Sequence, residues 1–174
     1  MESMVFKTRT GRNRWISIVL LAILVGIAFL VRQIEQAGVG NVDGHATAID
    51  GDSLYVAGRE VRLMGIDAPE GQQLCRRGGA KWECGEAATQ ELLGMIAGQT
   101  VHCEGVEKDR HRRLLALCSA GNLDLNREMV RRGMAVAYGR YTAEEREAAN
   151  SNRGLWGGEF VRPRVWRQER GISN

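Results

Sequence analysis

Two short blocks constrain this chain more than anything else in it: Ile49-Asp50-Gly51-Asp52-Ser53, then Arg62-Leu63-Met64-Gly65-Ile66-Asp67-Ala68-Pro69-Glu70. They read as two short strands joined by a turn. Together they carry three carboxylates, Asp52, Asp67 and Glu70, and one arginine, Arg62. Hard carboxylate oxygens suit Ca²⁺ or Mg²⁺, and the planar guanidinium fork suits a phosphodiester. Phosphoryl-transfer sites collect such groups, because positioning and charge stabilisation do most of the work there. Taken singly each block has a plainer reading: a turn between strands, an ordinary loop, a solvated or ion-paired arginine.

The segments around the two blocks extend the pattern. Residues 45–49 read as a first strand, and 53–56 and 61–66 as a hairpin about a turn at 57–60. A long loop with Pro69 and several glycines covers 67–84. The apolar spacing Ala88, Leu92, Leu93, Ile96 predicts a helix over 86–97, closed by Gly98. Two strands follow, around 101–103 and 115–118. Asp124 is placed to cap a helix over 125–132, and 135–138 reads as extended. Thr142-Ala143-Glu144-Glu145 has the form of a capping box opening a helix to about 152. The remainder reads as an extended, Arg-rich tail whose Arg162, Arg164, Arg167 and Arg170 are either solvated or a patch for nucleic acid or lipid headgroups. Short strands with a helix between the third and fourth fit an α+β, mainly β architecture: a five-stranded OB-type Greek-key barrel with about three packed helices.

The net charge of +3 does not describe that domain. Of 24 basic and 21 acidic residues, five and two lie in the first 42 positions, so the rest is neutral. A polyanion would therefore meet a local patch and not a global field.

Residues 15–31 form an uncharged run, preceded by Lys7, Arg9, Arg12 and Arg14. That pattern predicts a transmembrane signal-anchor, with a basic cytoplasmic segment at 1–14, a linker at 32–43, and the following domain outside a bacterial inner membrane. A cleaved signal peptide and a buried core helix are the alternatives. Cys75, Cys84, Cys103 and Cys118 all follow the run. An even count in an oxidising compartment suggests disulfides. If the strands around 101–103 and 115–118 pair antiparallel, Cys103 faces Cys118, leaving Cys75 and Cys84 to close the loop 76–83. Free thiols and a four-cysteine zinc site remain open, although no C-x2-C pair is present.

From about Gly44 to Trp156 the chain resembles the staphylococcal nuclease family. The first block, 48–53, and the second, 62–70, look like that family's first two conserved blocks. Lys108-Asp109-Arg110-His111-Arg112-Arg113-Leu114-Leu115-Ala116 looks like its third, usually D-x-Y-G-R-x-x-A. Residues 125–138 and Gly154-Leu155-Trp156 look like its later helix, strand and tryptophan. The resemblance implies a nuclease domain at 44–160, ahead of the tail at 161–174. It implies Ca²⁺ held by Asp52, Asp67 and the Ala68 backbone carbonyl. Glu70 would orient or deprotonate the attacking water, while Arg62 and Arg113 hold the scissile phosphate. It also implies Tyr138 beside the nucleotide, and hydrolysis of DNA or RNA to 3′-phosphates. A barrel face that stacks unpaired bases favours single strands, and a monomer is expected.

His111-Arg112 stands where the family usually has Tyr-Gly. His111 either replaces the tyrosine's phosphate contact or that contact is gone, and Arg112 competes with Arg113 as the matching arginine. Two other functions stand beside the enzyme: a non-catalytic OB-barrel module that binds nucleic acid or an envelope protein, and a purely structural envelope protein.

Overall fold

The computed structural model describes residues 10–36 and 39–172. The chain falls into two units, divided after Gly38. Helix α1, Thr10–Gln36, makes up the first, and all its side chains from Trp15 to Val31 are exposed. The expected membrane span does not hold, because among the described residues no helix is long and apolar enough to cross a membrane. As α-helix, the uncharged run rises about 25 Å against a hydrocarbon core of roughly 30 Å. The membrane partner and the inner-membrane location fall with it. Residues 1–9 of the basic segment, 37–38 of the linker and 173–174 of the tail lie outside the described residues.

The second unit is built on a sheet whose order runs β1 (Val42–Gly44), β8 (Val101–Lys108), β9 (Leu114–Ala120), β4 (Arg59–Leu63), β3 (Ser53–Val56), β2 (Ala46–Ala48). Only His45 separates β1 from β2 in the chain, so the two ends of this path are joined through the backbone. The arrangement is an OB-like barrel with a strand count that differs from the expected five. A seventh strand, β10 (Leu123–Asp124), pairs with β9. Two short ribbons add β5 (Ile66–Asp67) with β11 (Val136–Ala137), and β6 (Cys75–Arg77) with β7 (Ala80–Trp82).

Local chemistry explains the hairpin β3–β4. Val56 pairs with Arg59, leaving Ala57 and Gly58 as a two-residue turn, both with positive φ (48° and 79°). Such turns match the right-handed twist of the flanking strands. The alternation of β9, buried at Leu114, Ala116, Cys118 and Ala120, fills the barrel interior from one face. Helix α2 (Cys84–Ile96) buries Ala88, Leu92, Met95 and Ile96 against that core. Helix α3 (Leu125–Arg131) is capped as expected, with the Asp124 side chain accepting from Arg127 N.

Three expectations fail here. The loop 67–84 contains the β6–β7 ribbon. The capping box at 142 does not form: α4 (Thr142–Asn150) starts after a left-handed Tyr141, and Glu145 accepts instead from Ala137 N, 3.2 Å, and from Arg162, 3.2 Å. The tail is not extended, because a 3₁₀ turn at Gly154–Gly157 leads to helix α5, Pro163–Glu169, which buries Pro163, Trp166 and Arg167 and leaves its other residues exposed. Proline at the first turn of α5 suits its missing N–H.

The cysteines pair as Cys75–Cys84 and Cys103–Cys118. Cys103 and Cys118 are opposite residues in the β8–β9 register. Cys75–Cys84 ties the ribbon to the start of α2.

Candidate nuclease site

The turn after β2 delivers Asp52 into the protein interior. Asp52 N donates to Asp50 Oδ1 (2.9 Å), and Ser53 Oγ donates to Asp52 Oδ1 (3.0 Å). A Cβ on Gly51 would lie 2.7 Å from the Cβ atoms of both Ala68 and Ala88, so only glycine lets this turn approach the second block and α2. The second block closes on the first: Ala68 N donates to Asp52 Oδ2, 3.0 Å. Asp67 is set by β5, whose partner across the ribbon is Val136.

Glu70 is fixed by its backbone. Its carbonyl accepts from Gln73 N at 2.7 Å, and Gly85 packs so closely on it that any Cβ there would overlap. Gln73 itself is buried, and its Nε2 donates to Val161 O at 2.6 Å, tying this loop to the segment ahead of α5.

Two guanidinium groups enter the acidic cluster. Arg62, on β4, donates through Nη2 to Asp52 Oδ2 (2.9 Å) and reaches Asp67 Oδ1 at 3.4 Å. Arg167, on α5, donates through Nη2 to Asp67 Oδ1 (2.8 Å) and through Nη1 to Glu70 Oε1 (2.7 Å). Burial pushes the Asp67 carboxyl up, an effect that the Arg167 bond opposes. Burial, then the neighbouring charge of Asp52, raises the Asp50 carboxyl to about 7. Desolvation favours the neutral form of an acid, and a second carboxylate adds repulsion.

The third block lies across the cleft. Arg113 Nε donates to Asp109 Oδ2 at 2.7 Å, and Asp109 Oδ1 accepts from the backbone of His111 and Arg113 at 2.9 Å each. Burial would raise the Asp109 carboxyl, but these bonds outweigh it and hold it below the usual carboxylate range. Arg112 takes φ +67°, a left-handed conformation that glycine adopts without strain, which accounts for a glycine being usual there. Arg113 lines the cleft and Arg112 does not.

The cleft measures about 570 Å³ and has Arg62, Asp67, His111, Arg113, Tyr138 and Arg167 on its walls. An adjoining cavity of about 380 Å³ shares Arg62, His111, Arg113 and Arg167, and adds Asp50 and Glu70. Tyr138 is 60% exposed at the rim. The residues singled out in the sequence therefore converge on one place, with Asp52 and Ala68 buried behind the cleft wall. Arg164 and Arg167 also line the cleft; the sequence offers them as members of a solvated tail or a basic patch, and not as neighbours of Asp67 and Glu70. The one signal was Pro163 followed by Trp166 at helical spacing.

The donor set decides what the site can hold. Asp52, Asp67 and the Ala68 carbonyl are hard oxygens of the kind Ca²⁺ takes. Both arginine bonds to Asp67 fall on Oδ1, so neither uses its Oδ2. Among the described residues no group of three or more His, Cys, Asp or Glu side chains is placed to hold a metal ion. A cation here would therefore draw on two carboxylates, backbone oxygen and water.

Comparison with known proteins gives the family. The staphylococcal nuclease homologue family matches residues 60–157. The succinoglycan biosynthesis protein ExoI of Rhizobium meliloti (strain 1021) is 32% identical over 138 residues, covering 75% of this chain and 72% of that protein. An uncharacterized endonuclease of Escherichia coli O157:H7 is 31% identical over 134 residues, covering 70% and 82%. The probable staphylococcal-like nuclease CAN2 of Oryza sativa subsp. japonica is 28% identical over 125 residues, covering 68% and 32%. With more than half its length matched, and with the matched blocks meeting in one acid- and arginine-lined cleft, the chain belongs to the staphylococcal nuclease homologue family, a family of nucleases.

Proposed function

We propose that this protein is a Ca²⁺-dependent nuclease that hydrolyses phosphodiester bonds of DNA or RNA, with single strands preferred, and leaves 3′-phosphates. The observation that carries the reading is the convergence of Arg62, Glu70 and Arg113 on adjoining cavities beside Asp52 and Asp67. Asp52, Asp67 and the Ala68 carbonyl would hold the metal, which supplies positive charge to a phosphate gaining negative charge. Glu70, one-third exposed at the cavity wall, takes the proton of the attacking water. Arg62 and Arg113 hold the phosphate oxygens, where paired N–H donors outperform a point charge. Tyr138 at the rim offers an aromatic face to the adjoining base, and His111, on the wall of both cavities, offers a ring nitrogen to phosphate.

The test is an incubation of the purified full chain with a single-stranded DNA oligonucleotide, in Ca²⁺ and in chelator, followed by end-group analysis. Cleavage only with Ca²⁺, giving ends that a 3′-phosphatase converts to hydroxyls, supports the reading. Cleavage undiminished by chelator, or ends carrying 5′-phosphate, contradicts it.

A further inference from the structure

The fork of Arg167 has one donor on each of two carboxylates that the proposed chemistry needs. Nη1 bonds Glu70 Oε1 at 2.7 Å and Nη2 bonds Asp67 Oδ1 at 2.8 Å. The Arg167 side chain is 5% exposed, against 32% for Glu70. Arg62 bonds Asp52 and Asp67, so Arg167 is the side chain that links Glu70 to the rest of the cluster. Each carboxylate keeps its second oxygen outside the Arg167 bonds.

We infer that Arg167 is a positioning residue of the nuclease site, holding the Glu70 carboxylate in register with Asp67. A glutamate has three side-chain torsions to fix, and a planar guanidinium fixes them with little entropy loss of its own. Displacement of a reacting group by about 1 Å costs on the order of 100-fold in rate. The segment that delivers Arg167 is itself anchored. Arg76 and Glu159 exchange backbone hydrogen bonds at 2.9 and 2.8 Å, Gln73 holds Val161 O, and Trp166 and Pro163 are buried. A group carried on so firmly tied a segment acts as a brace and not as a removable plug. The site then extends past residue 157, where the family match ends, to a helix with no counterpart in the three sequence blocks.

This inference rests on the nuclease reading, and its test separates the two. The full chain, Arg167→Met, Arg167→Lys, Glu70→Gln and the Arg167→Met/Glu70→Gln double variant are assayed for kcat and KM on single-stranded DNA. Ca²⁺ binding is followed by calorimetry and folding by thermal unfolding. Arg167→Met lowers kcat about 10- to 100-fold, the usual effect of removing an outer-shell partner, with KM little changed. Ca²⁺ binding is kept or tightened, since a positive neighbour has gone. Arg167→Lys recovers only part of kcat, because one ammonium cannot reproduce the fork. In the Glu70→Gln background the Met substitution has no further effect.

Unchanged or increased kcat in folded Arg167→Met overturns the inference. So does an equal fall in the Glu70→Gln background, or loss of Ca²⁺ binding together with kcat, since either marks a purely structural arginine. If Arg167→Met does not fold, Arg167→Lys decides, and wild-type kcat there overturns the inference. A wild-type protein that cleaves nothing removes the nuclease reading and this one with it. An active wild type beside an unaffected Arg167→Met removes this one alone.

Discussion

The molecule holds two clusters in which arginines grip acids, and they are built for different ends. In the first, Arg62 and Arg167 meet Asp52, Asp67 and Glu70. In the second, Arg131 and Arg132 meet Glu128, with Arg132 also on Glu91. Both look alike as lists of ion pairs. In the second, both Glu128 oxygens are taken by guanidinium groups of its own helix, at 2.8, 2.8 and 3.3 Å, and Arg131 is 47% exposed. In the first, Arg167 is 5% exposed and Asp52 and Asp67 are buried, carboxylate oxygens are left over, and the groups open onto a cavity. Closed pairs, with no carboxylate oxygen to spare, brace a helix. Open pairs, desolvated beside a cleft, are a site.

The largest effect that would break this contrast lies at Glu70. Glu70→Gln keeps the shape and an acceptor for Arg167 but removes the base, so cleavage should fall about 10²- to 10⁴-fold, read as single-turnover rate, with thermal unfolding little moved. Arg113→Lys comes next: it keeps a charge and loses the fork, and about a 10²-fold fall in kcat is expected.

The second cluster should answer in stability alone. Arg131, then Arg132, hold the Glu128 carboxyl below the usual glutamate range. An acid with a lowered folded pKa stabilises fully above its ordinary value and loses that contribution as pH falls through the lowered one. Glu128→Gln should cost about 1 kcal/mol near neutral pH, a small figure because both arginine partners are close to half exposed and screened by solvent. The cost should shrink towards zero in acid, measured by denaturant unfolding against pH. The smallest effect expected is in the turn that precedes Arg113. Arg112→Gly relieves a left-handed residue and should stabilise by about 0.5 kcal/mol, the gain being partly offset by backbone entropy.

What could be read from the sequence followed how local the causes were. The Asp124 cap and the Cys103–Cys118 pairing depend on residues a few positions apart or on one antiparallel register, and both are present; the hairpin expected over 53–66 is present with a tighter turn, at Ala57-Gly58, and a second strand that ends at Leu63. The three blocks of the site were legible because each is contiguous, although only folding joins them. Arg167 was not, because its partners lie near 67–70 and its helix spans seven residues with little periodicity to detect. The capping box at 142 failed for a related reason. A distant backbone N–H, that of Ala137, claims the Glu145 side chain. The uncharged run 15–31 was read too far, since a run at the lower limit of spanning length does not establish a span.

One paired assay tests the account most directly. Wild type, Glu70→Gln and Glu128→Gln are compared on the same single-stranded DNA in Ca²⁺, with unfolding measured on each. The account predicts that Glu70→Gln loses cleavage at near wild-type stability, while Glu128→Gln cleaves at the wild-type rate and unfolds more readily. Equal losses of cleavage in both variants, or full cleavage by Glu70→Gln, would contradict it.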